Sequence, residues 1–391
     1  MAIDTKANRR LSKRVQAIKP SGIRKFFDVA SKMENVISLG VGEPDFVTPW
    51  NIREASISSL ERGYTAYTAN AGLFELRVEI ANYLKDRFAL EYDPETEVLV
   101  TVGASEAIDI GLRAVVDEGD EVIVVEPCFV SYAPLVQMAG GIPISVGTTI
   151  AERFKVDPKN IEAAITSKTK AIIISYPNNP TGATLSKEEM EKIAAIVNKY
   201  DLIVFSDEIY AELSFDQEPV SFASLPGMKE RTIVISGFSK AFAMTGWRLG
   251  FVTAPADILA AILKLHQYSL MCAPTMAQYG AIEALKNGMD DVERMRESYR
   301  QRRNFITQSF QDIGLDCHLP GGAFYAFPSI KKTGLSSEQF AERLLFEERV
   351  AVVPGNVFGQ GGEGHIRCSY ATSIDKLEEA IERIDRFLRR L

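Results

Sequence analysis

The sequence has few of the residues that build most metal centres and disulfide frameworks. It contains four cysteines and three histidines among 391 residues, and no two cysteines form a CxxC pair. Scattered cysteines argue against a disulfide framework and fit a reducing compartment. Three dispersed histidines do not suggest a metal site. We therefore expect no bound metal and a cytoplasmic protein.

Long apolar runs and an excess of positive charge are also missing. No run reaches the ~18 apolar residues that predict a membrane span. The basic N-terminus, with Lys6, Arg9 and Arg10, has no apolar stretch behind it, which a secretory signal would need. Lysine and arginine total 44 against 52 acidic residues, for a net charge of −8, whereas nucleic-acid binding needs a basic face. We expect neither a membrane nor a nucleic-acid partner.

Short β-branched runs alternate with amphipathic helical patterns through the middle of the chain. The predicted strands cover 98–102, 121–125, 142–146, 171–175, 202–206, 232–236 and 249–253. Helices are predicted at 105–116 and 186–200, the second beginning with Ser186 and Glu189 in a capping-box spacing. This alternation predicts a mostly parallel sheet with helices on both faces.

The pattern changes after about residue 287. A long charged helix is predicted from Asp290 to about Ile313, and further helices begin near Ser336 and Ser373. We predict a large domain over 47–287 and a smaller α+β domain over 288–391. Residues 1–46 are predicted to form an N-terminal arm and part of the small domain.

Small, polar and ionisable residues follow several predicted strands. In an open α/β sheet, ligands bind outside the carboxyl ends of the strands. These positions hold Gly103-Ala104-Ser105, Pro127-Cys128-Phe129, Asn179-Pro180-Thr181-Gly182, Asp207-Glu208-Ile209-Tyr210 and Ser239-Lys240. Ordinary turn chemistry explains Gly103 and Pro180. It does not explain Lys240, which lies between a buried strand and an apolar stretch, where desolvation makes an amine nucleophilic.

Together these residue types meet the needs of pyridoxal 5′-phosphate (PLP). A lysine can bond to the aldehyde of PLP, and a carboxylate can keep the ring nitrogen protonated. A Gly-Ala-Ser turn that opens a helix offers backbone N–H groups to the phosphate. An aromatic side chain can stack on the ring. The residues therefore point to PLP as cofactor.

Six stretches carry a family resemblance. They are Leu39-Gly40-Val41-Gly42-Glu43-Pro44-Asp45-Phe46, Tyr67-Thr68-Ala69-Asn70-Ala71-Gly72, Asn179-Pro180-Thr181-Gly182, Ser206-Asp207-Glu208-Ile209-Tyr210, the run from Ser239 to Gly250, and Gly322-Ala323-Phe324-Tyr325. With them the chain resembles the class I PLP-dependent aminotransferases of fold type I, the aspartate aminotransferase superfamily. It looks most like the branch of aspartate and aromatic amino-acid aminotransferases. The resemblance covers almost the whole chain and implies an α/β fold, with a mostly parallel seven-stranded sheet flanked by helices in the large domain.

The resemblance implies a role for each residue around the cofactor. Lys240 would hold PLP covalently and later move a proton, and Asp207 would pair with the ring nitrogen. Tyr210 and Asn179 would donate to the phenolic oxygen of PLP. Phe129 would stack on the ring, and the phosphate would be held by Gly103, Ala104, Ser105, Ser239 and Arg248.

The resemblance also implies how substrates and a second subunit take part. Arg367 would clamp the substrate α-carboxylate, and Gly42 would let the backbone approach it. Arg24 could face a side-chain carboxylate or be a surface charge. Some aspartate-specific relatives carry a lysine where this chain has Ser105, so the preference for aspartate stays open. Tyr67 would reach the phosphate in a neighbouring subunit, which implies a homodimer.

The implied activity moves an amino group between an L-amino acid and a 2-oxoacid in ping-pong half-reactions. Aspartate, aromatic amino acids and alanine are the expected donor types, and 2-oxoglutarate is the expected acceptor. A PLP-dependent carbon–sulfur β-lyase would share the same cofactor site. A non-catalytic PLP-binding regulator or scaffold is the alternative from another class.

One motif has no place in this scheme. Gly359-Gln360-Gly361-Gly362-Glu363-Gly364 matches the GxGxxG pattern. A dinucleotide fingerprint opens a helix within a βαβ unit, whereas here a strand is predicted over 365–371. We interpret the segment as a loop.

Overall fold

The computed structural model describes residues 10–18, 20 and 32–391. Arg24 lies outside the described residues. The strands within them are β1 Ile37–Ser38, β2 Val98–Thr101, β3 Glu121–Glu126, β4 Ile142–Gly147, β5 Thr169–Ser175, β6 Ile203–Asp207, β7 Thr232–Gly237, β8 Gly250–Thr253, β9 Tyr325–Ala326, β10 Val350–Ala351, β11 Val353–Pro354 and β12 Ile366–Ser369. No helix in this part of the chain is long and apolar enough to cross a membrane.

Seven strands form a central sheet in the order β2-β8-β7-β6-β5-β3-β4. β8 runs antiparallel to β2 and β7, and the other neighbouring pairs are parallel. The middle strands are apolar nearly throughout and buried on both faces, as expected for parallel strands covered by helices. All seven strands were predicted from the sequence, and the α/β fold class is confirmed.

Helices cover the sheet and continue into the C-terminal part of the chain. They are Lys13–Ala17, Trp50–Glu61, Phe74–Phe88, Ala104–Val115, Tyr132–Ala139, Pro158–Ala164, Lys187–Lys199, Ala256–Ser269, Thr275–Asn287, Met289–Asp312, Ser337–Glu348 and Ile374–Leu388. The predicted capping box is present, because the Glu189 N–H donates to Ser186 Oγ and the Ser186 N–H donates to Glu189 Oε2. Side-chain caps of this kind satisfy N–H groups that the helix leaves unpaired.

Two smaller sheets bring the N-terminal and C-terminal segments together. β1 pairs with β10 in parallel, and β12 lies between β11 and β9 in an antiparallel sheet. A separate apolar core packs around these strands and includes Tyr299, Phe310, Phe324 and Ile384. The pairing of β1 supports the idea that the N-terminal stretch packs with the C-terminal part. The domain boundaries stay a prediction.

The glycine-rich segment does not open a helix. Residues 360–362 form one short 3-10 turn, and β12 begins four residues after it, at Ile366. The backbone N–H of Gln360 donates to Glu126 Oε2 at 3.1 Å. A Cβ at Gly359 would lie 2.4 Å from the Glu126 carboxylate. The loop interpretation is therefore confirmed, and the glycines allow close packing against the end of β3.

Candidate active site

A cavity of about 570 Å³ lies at the edge of the central sheet where the parallel strands end. The predicted residues that line it are Gly42, Ala104, Ser105, Phe129, Asn179, Asp207, Tyr210, Ser239, Lys240, Arg248 and Arg367. Arg248 reaches this edge because it precedes β8, whose reversed direction brings its first residue beside Thr101 and Gly237. The fold thus gathers most of the predicted site into one pocket.

Lys240 lies in the turn after β7 with its amine inside the cavity. Its Nζ donates to the carbonyl oxygen of Gly42 at 2.7 Å. Burial lowers the pKa of Lys240 to about 8, Glu43 opposes this shift, and Arg367 and Arg248 reinforce it. Roughly a tenth of the amine is therefore uncharged at pH 7, far more than for an ordinary lysine, and the uncharged form is the one that acts as nucleophile or proton acceptor.

Asp207 ends β6 and is 6% exposed. Tyr132 Oη donates to its Oδ2 at 2.6 Å, and the Ile209 N–H donates to its Oδ1 at 3.2 Å. Burial raises the pKa of Asp207, while these two hydrogen bonds and Lys240 oppose the rise. A buried carboxylate on a cavity wall favours a positively charged partner. A protonated ring nitrogen would supply one.

Arg367 lies on β12 and is 4% exposed. Its Nη1 donates to Asn179 Oδ1 at 2.9 Å and its Nη2 donates to the Gly40 carbonyl oxygen at 2.7 Å. Nε is buried without a hydrogen-bond partner. Arg367 forms no ion pair with a carboxylate in the described part of the chain. A buried cation held only by neutral oxygens is costly, so the site favours an anionic ligand.

Aromatic rings frame this guanidinium. Arg367 Cζ lies 4.5 Å from the ring centre of Tyr325 and 5.0 Å from that of Phe358. Because Asn179 Oδ1 accepts from Arg367, the amide nitrogen of Asn179 remains a donor at the cavity wall. That arrangement fits the predicted donation by Asn179 to a phenolic oxygen.

The predicted phosphate cradle is a turn that opens the helix Ala104–Val115. Gly103 precedes this helix with φ of +81°, and no side chain caps the helix. A Cβ at Gly103 would lie 2.8 Å from Arg248 Nη2, so glycine leaves room for that cation. Uncapped N–H groups at a helix start and a guanidinium beside them suit a phosphate. The donors at this turn therefore fit PLP.

Two of the described predicted residues, Tyr67 and Gly103, are not in the lining of the cavity. Tyr67 is 81% exposed and is absent from the lining of the cavity in its own chain. Arg24 falls outside the described residues, so its role stays a prediction. Gly103 lies next to the lining rather than in it.

Other lining residues were missed by the sequence reasoning. They are Glu43, Ile108, Tyr132, Ser175, Ile209, Thr245, Gly246 and Tyr325. Glu43 and Tyr325 belong to stretches that carried the resemblance, and Thr245 and Gly246 follow Lys240 closely. Those neighbours were the available signal. Nothing in the sequence distinguished Tyr132 from an ordinary core tyrosine.

Comparison with known proteins identifies the family. The model of the family described as aminotransferase class I and II matches residues 34–384. A putative aminotransferase of Bacillus subtilis, YugH, is 66% identical, over 97% of this chain and 98% of its own. An aspartate aminotransferase of Pyrococcus abyssi is 48% identical, over 97% of this chain and 98% of its own.

Solved structures agree. The crystal structure of an aromatic aminotransferase from Pyrococcus horikoshii superimposes with a TM-score of 0.90 at 47% identity. The match covers 94% of this chain and 99% of that one. Family, fold and cavity chemistry point to one conclusion. The chain belongs to the class I and II aminotransferases and is a PLP-dependent enzyme of fold type I.

Proposed function

We propose that the protein transfers the amino group of an L-amino acid to a 2-oxoacid, 2-oxoglutarate, in two ping-pong half-reactions. The observation that carries the proposal is that Lys240, Asp207 and Arg367 face one cavity from three separate elements. The names of the aspartate and aromatic aminotransferases among the relatives support a donor of either type. Alanine stays a further donor to test.

The cavity residues divide between cofactor and substrate. When bound, PLP withdraws electrons from the substrate Cα, so that the Cα proton can be removed. Lys240 would hold PLP through Nζ, Asp207 would pair with its ring nitrogen, and Phe129 would lie against the ring. Tyr210 and Asn179 would donate to the phenolic oxygen. The phosphate would contact Gly103, Ala104, Ser105, Ser239 and Arg248.

The chain's own groups then act in sequence. Arg367 binds the α-carboxylate through its planar fork and orients the amino acid. Gly42 lies at the same end of the cavity and allows a close approach, since a Cβ there would lie 2.7 Å from Tyr325 Oη and 3.9 Å from Arg367 Nη2. Once the substrate amino group has displaced it from PLP, the uncharged Lys240 amine would accept the proton from the substrate Cα and later give it up again, which is general acid–base work. Because both substrates carry an α-carboxylate, Arg367 serves both half-reactions.

A half-reaction screen tests this function. The PLP-loaded protein is mixed with each of the twenty amino acids in turn, without an oxoacid, and its absorbance is recorded. We expect aspartate or an aromatic amino acid to bleach the visible cofactor band, and 2-oxoglutarate to restore it. Release of ammonia and pyruvate from a cysteine-type substrate without oxoacid would show a lyase instead. A band that no amino acid changes would favour a regulator.

The depressed pKa of Lys240 predicts how PLP attachment depends on pH. The neutral amine is the nucleophile, so the rate of attachment to the PLP-free protein should rise with pH and level off above about 8. An ordinary lysine would keep gaining reactivity to about pH 10.4. Absorbance-detected rates between about pH 6.5 and pH 10 check this. A rate that still climbs steeply above pH 9 would contradict it.

We further propose that two copies of the chain form a homodimer in which Tyr67 reaches the partner's cavity. The Tyr67 segment is held to the neighbouring residues 271–275, because Asn70 Nδ2 donates to the Met271 carbonyl and Thr275 Oγ1 to the Ala66 carbonyl, both at 2.8 Å. Large apolar side chains are exposed in or next to these two segments, namely Tyr64, Tyr268, Leu270 and Met271. An apolar surface of this kind is typical of an interaction site.

Mixed dimers test whether Tyr67 acts across subunits. We expect Tyr67→Ala to raise the PLP concentration needed for half-maximal activity. A mixed dimer would pair one Tyr67→Ala chain with one inactive Lys240→Ala chain. One of its two cavities would then combine the native Lys240 of the first chain with the native Tyr67 of the second. Mixing should therefore restore the PLP dependence of the unchanged protein. No recovery in dimers shown to be mixed would argue that Tyr67 does not act in this way.

A further inference from the structure

Tyr325 contacts three of the predicted site residues at once. It lies on β9, where it pairs with Ser369 of β12, and it is 1% exposed. Its hydroxyl is 2.8 Å from that of Tyr210. The Arg367 Cζ lies 4.5 Å from its ring centre. A Cβ at Gly42 would lie 2.7 Å from the same hydroxyl. Tyr325 thus joins the substrate end of the cavity to the cofactor end.

Only one of the two hydroxyls can donate the hydrogen bond that joins them. Each phenol carries one proton and can donate only once, although it can also accept. Burial raises the pKa of both Tyr210 and Tyr325, so both keep their protons at neutral pH. If Tyr210 donated to Tyr325, it would have no proton left for a ligand. If Tyr325 donates, the Tyr210 proton is free for an oxygen acceptor in the cavity.

The charges around the pair favour the second arrangement. Arg367 lowers the pKa of both phenols against the effect of burial. Its Cζ lies over the Tyr325 ring, 4.5 Å from the ring centre, and this close contact makes Tyr325 the better donor. Among the residues that the structure describes, the other charged groups that line the cavity are Lys240, Asp207, Glu43 and Arg248. Of these, Asp207 raises the pKa of Tyr210, and Lys240 Nζ lies 5.9 Å from the centre of the Tyr210 ring.

We propose that Tyr325 is a positioning residue of the transamination. Its hydroxyl donates to Tyr210 and directs the Tyr210 proton into the cavity, while its ring supports Arg367 at the substrate end. The inference rests on the proposed function, because it assumes that Tyr210 donates to the phenolic oxygen of PLP. A phenol that accepts one hydrogen bond also donates more strongly in another. Tyr325 therefore strengthens the contact that stabilises the negative charge on that oxygen.

Two substitutions separate the hydroxyl from the ring. Tyr325→Phe keeps the ring over Arg367 and removes the donor, so kcat should fall roughly two- to tenfold while KM for the amino acid stays within about twofold. Tyr325→Leu also removes the ring, and KM should rise by roughly two- to thirtyfold. The matched control is Tyr370→Phe, whose hydroxyl donates to the Ala323 carbonyl in the same core, outside the cavity lining.

The decisive readout is the pH titration of the visible absorbance of the PLP-loaded protein. In Tyr325→Phe the midpoint should move up by a few tenths of a pH unit, because the ionised phenolic oxygen loses stabilisation. Tyr370→Phe should leave the midpoint unchanged. In a protein that already carries Tyr210→Phe, adding Tyr325→Phe should shift the midpoint no further, since the effect passes through Tyr210.

The outcomes distinguish this inference from the proposed function. An unchanged midpoint in Tyr325→Phe would overturn the role of Tyr325. An equal shift with and without Tyr210 would overturn it as well. If the unsubstituted protein shows no visible cofactor band or no amino transfer, the proposed function itself fails.

Discussion

Substitution of Lys240 by alanine should lower kcat for amino transfer by about 10⁴-fold or more, because it removes both the attachment point of PLP and the proton carrier. Within the described part of the chain, the other cations that line the cavity are the guanidinium groups of Arg248 and Arg367, and neither can take the place of the amine. Guanidinium stays protonated in proteins and is a poor base. Steady-state assays with saturating amino acid and oxoacid measure the loss.

A matched lysine provides the control. Lys229 pairs with Glu97 and lines none of the cavity, so Lys229→Ala should keep full activity. Borohydride treatment followed by peptide mapping should find the cofactor on the peptide that contains Lys240. Full steady-state transamination by Lys240→Ala, or a cofactor attached at another residue, would refute the assignment.

The second large effect is expected at Arg367. Arg367→Ala should lower kcat/KM by roughly tenfold to a few hundredfold, because charged hydrogen bonds contribute about 1.5–3 kcal/mol each. The loss should be similar for the amino acid and for the oxoacid, since both present the same carboxylate. Arg367→Lys should recover only part of it, because an ammonium group keeps the charge but lacks the planar fork. Separate kinetics for each half-reaction measure both values.

Arg303 provides the matched control for the effect of removing a buried arginine side chain. It is also buried, at 3% exposure, but it pairs with Asp216 and lies outside the cavity lining. Arg303→Ala should reduce thermal stability while the KM values stay near those of the unchanged protein. If Arg367→Ala leaves KM and kcat unchanged for both substrates, Arg367 does not bind the α-carboxylate.

Much of the fold could be predicted because its signals are local. The strands of the central sheet are short apolar runs rich in β-branched residues. The tendency of each run to form a strand depends on the residues within it. The Ser186 and Glu189 pair marks a helix start within four residues of chain. The position of Lys240 after a buried strand was equally visible. The general placement of ligands at the carboxyl ends of strands then located the cavity.

The hydrogen-bond network of the site could not be predicted in the same way. Tyr132 and Asp207 are 75 positions apart, and Tyr210 and Tyr325 are 115 apart. A tyrosine that orients a carboxylate has the same sequence appearance as one that fills a core. Tyr67 likewise belongs to a stretch that carried the family resemblance, yet its side chain does not line the cavity of its own chain.

The sequence by itself therefore determined the strand and helix pattern, the kind of cofactor and the residue types that serve it, because these depend on neighbouring side chains and on side-chain chemistry. Only the tertiary structure decided which hydroxyl groups lie beside which oxygens, and why Arg367 is a buried cation without an anionic partner in the described chain. Hydrogen bonding and desolvation depend on distances of a few ångströms between distant segments. Those distances arise only when β6, β9 and β12 pack around one cavity.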